Sequence, residues 1–258
     1  MTGSIPPAPS LKERAHRGDR LLGVLLRLPA EELVEMVALS GFDFVLIDCE
    51  HGPADLGLLR QHIAAALLHG CPVLVRVGSH EPALVLRALD HGATGIVAPH
   101  VDTAEDAADL VASVHYPPLG RRGFAGYSRP GRYGLVPAEE HKQRLLAETL
   151  VFGMIESPVA VASAAEIVAT PGLDGIMIGP ADLRASSTSA DPDPAASIAE
   201  VHRVLADADS LRLQIVNSTA VATAAFADGA NLVVYNLTHT VMDHLADLRR
   251  ASSGLTVD

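Results

Sequence analysis

Ionisable side chains close four otherwise apolar runs in this sequence. Asp48-Cys49-Glu50-His51-Gly52 ends the run that begins at residue 42, Arg76 stands near the end of 72–77, Glu156 closes 151–156, and Gly179-Pro180-Ala181-Asp182 ends the run from 175. Taken singly, each has an ordinary structural explanation: a lone Asp or Glu after a strand is commonly a helix N-cap, and an Arg can simply pair with a carboxylate. Recurrence at the same end of four runs is harder to explain that way. Glu156 and Asp182, two carboxylates without His or Cys at metal spacing, suit a hard divalent ion that fills its other positions with water and substrate oxygens. Beside such an ion, Arg76 suits an anionic oxygen, either a carboxylate or a developing oxyanion. His51, oriented by Asp48, is the natural general base. Metal, Arg and His together describe the formation and quenching of an enolate beside a carboxylate. A Schiff-base route is disfavoured, because Lys12 and Lys142 are the only lysines and neither stands at a strand end.

Eight short apolar runs must position these groups: residues 21–27, 42–48, 72–77, 95–99, 151–156, 175–179, 212–216 and 231–235. They are near-continuous rather than alternating, as strands of a parallel sheet covered on both faces are. Between them lie Ala/Leu-rich segments such as 30–39, 55–68, 82–89 and 104–114, each long enough for one helix. Several close on a stop signal: Ser40-Gly41, His69-Gly70, His91-Gly92, Pro171-Gly172 and Asp228-Gly229. Eight β-then-α units in 258 residues, with no GxGxxG or GxxxxGK[ST], predict a single-domain TIM (β/α)8 barrel rather than a Rossmann or P-loop sheet. In such a barrel, the residues just past the strands' C-terminal ends converge on one face. Residues 1–15 read as a disordered tail and 16–258 as the barrel. The Arg/Gly/Pro-rich stretch 116–140 reads as an insertion, and 184–194 as a mobile polar loop.

Composition narrows the partners. Nineteen Lys and Arg against 31 Asp and Glu leave a net charge of −12, a field that repels nucleic acid and anionic membranes. Aromatic residues are 3% of the chain and Trp is absent, so rings for stacking bases are lacking. No run is long enough to span a membrane. Cys49 and Cys71 lack CxxC spacing and read as reduced, buried thiols of a cytoplasmic protein.

The chain resembles the class II pyruvate aldolases of the 4-hydroxy-2-oxoheptanedioate aldolase / 2-dehydro-3-deoxyglucarate aldolase family. GFDFVLIDCEHGP (41–53), VLVRVGSHEP (73–82), LDHGATGIVAPHVDTAEDA (89–107), YPPLGRRG (116–123), SRPGRYG (128–134) and LDGIMIGPADL (173–183) carry the resemblance. It implies a barrel of the phosphoenolpyruvate/pyruvate-binding type and a metal-dependent carbon–carbon lyase acting on small acidic 2-oxo acids. Glu156 and Asp182 would hold Mg²⁺ or Mn²⁺, with Co²⁺ an alternative. His51 with Asp48 would form the acid/base dyad, and Arg76 would stabilise the enolate oxygen. Backbone N–H groups at Ala181 and Asp182, made accessible by Gly179 and Pro180, would hold the substrate carboxylate. Glu50 and Arg122 are candidates for supporting positions around the site. The resemblance further implies a homo-oligomer, a hexamer or trimer, with the last helix packing on a neighbour.

Three segments depart from the family pattern: Met154 in place of Gln, Arg184-Ala185-Ser186-Ser187-Thr188 after the GPADL motif, and Tyr235-Asn236-Leu237-Thr238-His239 near the end. The departures leave room for a condensing or decarboxylating enzyme that uses an oxaloacetate-derived enolate, and for a barrel that only binds a metabolite. The insertion concentrates Arg121, Arg122, Arg129 and Arg132, which reads either as a solvated basic loop or as a clamp over an acidic substrate.

Overall fold

The computed structural model describes residues 8–52, 55–79 and 81–252. Eight strands, β1 (Leu21–Leu26), β2 (Phe44–Asp48), β3 (Val73–Arg76), β4 (Gly95–Ala98), β5 (Leu150–Ile155), β6 (Gly175–Ile178), β7 (Leu211–Val216) and β8 (Leu232–Asn236), pair in parallel in chain order. Pairing of β1 with β8, Leu21 opposite Leu232, closes the barrel. The helices are α1 (Leu11–His16), α2 (Glu31–Leu39), α3 (Leu56–Leu68), α4 (Pro82–His91), α5 (Ala104–Val114) and α6 (Ala138–Glu148). They continue with α7 (Pro158–Ala162), α8 (Ala164–Val168), α9 (Pro180–Ser186), α10 (Pro194–Asp207), α11 (Thr219–Ala227) and α12 (Leu237–Ser252).

The apolar runs are continuous because each strand buries both faces. Leu25, Phe44, Leu46, Leu74, Phe152 and Leu213 fill the interior. Val24, Val45, Ile47, Val75 and Ile176 face outward against Val34, Ile63, Val85 and Leu205 of the helices. Gly23 makes room for one of the few aromatic rings: a Cβ there would lie 2.5 Å from the Phe44 ring. Glycines 41, 70, 92, 172 and 229, which end the sequence's stop signals, all adopt positive φ, the conformation a helix-terminating glycine supplies without a Cβ penalty.

The expected tail over residues 1–15 requires correction for its last part, residues 1–7 lying outside the described ones. Residues 11–16 form α1, started by a reciprocal capping box between Ser10 and Glu13. Leu11 and Ala15 are buried and join the interior cluster. Lys12 Nζ reaches the Thr149 carbonyl at 3.0 Å and Asp174 at 2.8 Å, fastening α1 across the N-terminal end of the barrel.

Residues 116–137 are not helical apart from a 3₁₀ turn at Arg132–Gly134, and α6 takes up the rest of the predicted insertion. As an α-to-β connection the segment lies at the strands' N-terminal end, opposite the face on which the site residues gather. Arg122 accordingly leaves the list of supporting residues. Its guanidinium is buried, pairs with Asp90 at 2.6 Å and lies over the Tyr116 ring at 4.8 Å. The burial explains the error, since a basic cluster on a loop gives no sign of which Arg is held inside. In 184–194, α9 runs on to Ser186 and Thr188 N–H donates to Asp191 Oδ2 at 2.8 Å.

Candidate functional site

Asp48 is the last residue of β2, and its register partner on β3 is Arg76. The Arg76 Nε donates to Asp48 Oδ1 at 2.9 Å and Nη2 to Oδ2 at 2.6 Å, a two-pronged pair in which both side chains are almost fully buried. Arg27, one residue past β1, donates from Nε to the same Oδ2 at 2.6 Å. Burial would raise the Asp48 pKa, but the hydrogen bonds from Arg76, its charge, Arg27 and the His51 N–H outweigh it and hold the carboxyl below its usual range. Burial likewise opposes the charge on Arg76, and the Asp48 contacts outweigh it.

Asp48 also organises the turn that follows. Its Oδ1 accepts from the backbone N–H groups of Glu50 and His51, each at 3.2 Å. The expected ring-to-carboxylate dyad between His51 and Asp48 is therefore absent from this arrangement, because both Asp48 oxygens are engaged by guanidinium and backbone donors. The nearest carboxylate to the half-exposed His51 ring is Glu50, with Nε2 3.9 Å from Oε2. Glu50 Oε2 lies 3.2 Å from Arg76 Nη1 yet is buried without a hydrogen-bond partner.

Glu156 follows β5 and is 3% exposed. Its Oε1 accepts from the His100 backbone N–H at 2.7 Å and sits 3.0 Å from His100 Nδ1. Its Oε2 points at Gly179, where a Cβ would lie 2.7 Å away, so the bare backbone of Gly179 is what admits the carboxylate. Burial raises the Glu156 pKa; His100 lowers it, and the charges of Glu50 and Asp182 raise it further. Asp182 stands in the first turn of α9, which Ser186 Oγ ties back by donating to the Glu156 carbonyl at 3.2 Å.

His51, Arg76, Gly179, Pro180, Ala181 and Asp182 line one cavity of about 540 Å³ at the strands' C-terminal ends. Asp48, Glu50 and Glu156 are not among its lining residues. Met154 on β5 also lines it, with its Sδ 4.0 Å from Arg76 Nη1. Among the described residues, no three His, Cys, Asp or Glu side chains converge tightly enough to enclose a metal unaided. The mutually repelling Glu156 and Asp182, with Glu50 Oε2, which accepts no hydrogen bond, nearby, are nonetheless a hard-oxygen set that fits a divalent ion completed by water and substrate. Cys49 is buried, and burial pushes its thiol up to about 12, so it is no nucleophile. Two residues of the site escaped the sequence reading, Arg27 and His100. Both follow an apolar run, the same signal that exposed Arg76 and Glu156.

Residues 22–230 match the HpcH/HpaI aldolase/citrate lyase family. The chain is 36% identical over 181 residues to a 4-hydroxy-2-oxovalerate aldolase of Novosphingobium aromaticivorans, covering 70% of this chain and 68% of that one. It is 32% identical over 240 residues to a 2-keto-3-deoxy-L-rhamnonate aldolase of Klebsiella pneumoniae, covering 91% and 89%. The crystal structure of an HpcH/HpaI aldolase from Desulfitobacterium hafniense superposes with a TM-score of 0.88 at 26% identity, covering 96% and 98%.

Proposed function

The chain belongs to the HpcH/HpaI aldolase/citrate lyase family, and from that premise we propose that it is a metal-dependent aldolase that cleaves or forms a carbon–carbon bond next to a pyruvate unit. The observation that carries the reading is the orientation of Arg76. Asp48 holds its Nε and Nη2, leaving Nη1 toward Glu50, Met154 and the cavity. A fixed guanidinium in a largely buried setting is what an oxyanion needs.

Glu156 and Asp182 would hold Mg²⁺ or Mn²⁺, which supplies Lewis-acid polarisation of the 2-oxo group and charge neutralisation when bound. In the cleavage direction, His51 accepts the proton of the C4 hydroxyl. The C3–C4 bond breaks, its electron pair enters the enolate, and an aldehyde leaves. Arg76 Nη1 donates to the enolate oxygen. Return of the proton held by His51, through water, to C3 then yields pyruvate and restores the base. The N–H groups of Ala181 and Asp182 orient the substrate carboxylate, and Asp48 acts by holding Arg76 and the 49–51 turn.

The protein assembles as a homo-oligomer in this reading. None of the sixteen residues of α12 is buried, and Val241, Met242, Leu245 and Leu248 form an apolar stripe on it, which supports packing against a second copy. No helix among the described residues is long and apolar enough to cross a membrane. Two free, buried thiols support a cytoplasmic location.

The test is exchange of pyruvate methyl protons in deuterated water, followed by NMR with Mn²⁺ and again with EDTA. Metal-dependent exchange that disappears in Arg76→Ala supports the enolate assignment. No exchange with pyruvate, but turnover of oxaloacetate, would transfer the reading to the condensing or decarboxylating alternative.

A further inference from the structure

Four non-glycine residues among the described ones adopt positive φ: His100, Arg132, Tyr133 and Asp209. Arg132 and Tyr133 lie in the connection before α6 and Asp209 between α10 and β7, so those three stand at the strands' N-terminal end. Of the four, His100 alone stands at the catalytic mouth, two residues past β4. Its φ of 54° is a conformation that a residue with a Cβ enters at a cost, and such a backbone persists only where its surroundings impose it. Here they do. The Val101 N–H donates to the Met154 carbonyl at 3.1 Å. Val101 also packs on β5 where Gly153 has no side chain to obstruct it, a Cβ there lying 3.2 Å from Val101 Cγ2. Ser157 Oγ donates to Asp102 Oδ1 at 2.5 Å. The 99–102 turn is thus fastened to residues on either side of Glu156, which brings His100 to the carboxylate.

Both donors of His100 go to one oxygen. Its backbone N–H lies 2.7 Å from Glu156 Oε1, and its ring Nδ1 lies 3.0 Å from the same atom. Oε2 is left beside the bare backbone of Gly179 and accepts no hydrogen bond among the described residues. A free carboxylate can turn either oxygen, or both, toward a cation, whereas one whose Oε1 is held by two donors offers a single oxygen in a fixed direction. Burial and the charges of Glu50 and Asp182 oppose a charge on Glu156, and the His100 contacts favour it. Resting on the Glu156–Asp182 metal site proposed above, we propose that His100 is a positioning residue, whose strained turn commits Glu156 Oε1 to His100 and reserves Oε2 for the divalent ion. Nδ1 carries the proton in this assignment and donates it to the hydrogen bond, so the ring acts through Glu156 and is not itself a ligand. The side chain is 54% exposed, so replacing it opens no cavity in the core.

The Kd of the full-length protein for Mn²⁺, measured from the EPR signal of the free ion, tests this together with Tm. Glycine takes the left-handed backbone freely and keeps the N–H at position 100, so His100→Gly removes the ring alone. Its Kd should rise about tenfold or more while Tm stays at or above the wild-type value. Asparagine also tolerates that backbone, and its amide nitrogen is bonded to Cγ as Nδ1 is in histidine, so it can donate from the same place. His100→Asn should therefore return Kd to within about threefold of wild type. A wild-type Kd in His100→Gly would overturn the positioning role. A His100→Asn Kd no better than that of His100→Gly would overturn it too, by making the ring itself the ligand. Affinity lost only together with a Tm several degrees lower would make His100 a structural residue and likewise overturn the proposal. Failure of the reading beneath looks different. Wild-type protein that takes up no Mn²⁺ overturns the metal site, whereas wild-type uptake with a Kd unmoved by His100→Gly overturns the role of His100 alone.

Discussion

Asp48→Asn is the most informative substitution, because the Asp48 charge is what fixes Arg76. The change keeps the shape of the side chain and removes its charge. In the structure that charge is shared between Arg76, 4% exposed, and Arg27, 28% exposed, while the Asp48 side chain itself is fully buried. Removing one partner of a buried pair costs about 3–5 kcal/mol, because the other charge stays in a low-dielectric setting without compensation. Arg27 can turn toward solvent, so the lower end, about 3 kcal/mol, is the fitting figure. At about 2–4 °C per kcal/mol for a chain of this size, Tm should fall by roughly 6–12 °C. The effect has a defined pH window. The folded Asp48 pKa lies below its unfolded value, so its contribution is complete above the unfolded value near ~4 and is lost as pH falls through the folded one. Wild type and variant should therefore converge in stability only in acid. The rate of pyruvate proton exchange should fall with Arg76 no longer fixed. Differential scanning calorimetry and the exchange rate measure the two effects. A Tm unchanged at pH 7, or an unchanged exchange rate, would refute this reasoning.

Other consequences are more direct. Gly179→Ala places a methyl 2.7 Å from Glu156 Oε2 and 2.9 Å from its Cβ, so Mn²⁺ affinity should drop about 10–100-fold by calorimetric titration; wild-type affinity would remove Glu156 from the metal set. Asp174→Asn weakens the contacts of Lys12 and His16 and should destabilise the fold by about 1–3 kcal/mol, with hydrogen exchange accelerating first over residues 11–16. Neither thiol should react with Ellman's reagent in the native protein at pH 8, because burial raises Cys49 to about 12 and Cys71 to about 11; prompt modification of either contradicts that burial. Leu245→Glu on α12 should reduce the molecular mass measured by light scattering, and an unchanged mass would exclude this stripe as the contact between copies.

The barrel was readable because parallel strands buried on both faces leave a clear mark, near-continuous apolar runs of five to seven residues repeated along the chain. Glycines 41, 70, 92, 172 and 229 marked the turns for a steric reason that holds without tertiary context. What stayed hidden depends on partners distant in sequence. Leu11 and Ala15 read as tail because six residues cannot announce that a barrel floor awaits them. Asp48 beside His51 in sequence suggested a dyad, but the pairing that forms is with Arg76 and Arg27, 28 and 21 residues away. His100 and Arg27 obeyed the strand-end rule and were still overlooked, whereas Arg122 sits in a loop whose end of the barrel only topology decides.

The fastening of α1 bears on how the chain is made. Lys12 and Asp174 are 162 residues apart, and β1 cannot close on β8 until residue 232 and those around it exist. At about 5–20 residues per second, a ribosome takes roughly 8–32 seconds to separate the two ends of the Lys12–Asp174 contact. Throughout that interval Lys12 lacks its Asp174 partner, and the edge of β1 that pairs with β8 stays open. Helix α1 is thus made well before the element that fastens it, and its ion pair with Asp174 forms late relative to its own synthesis.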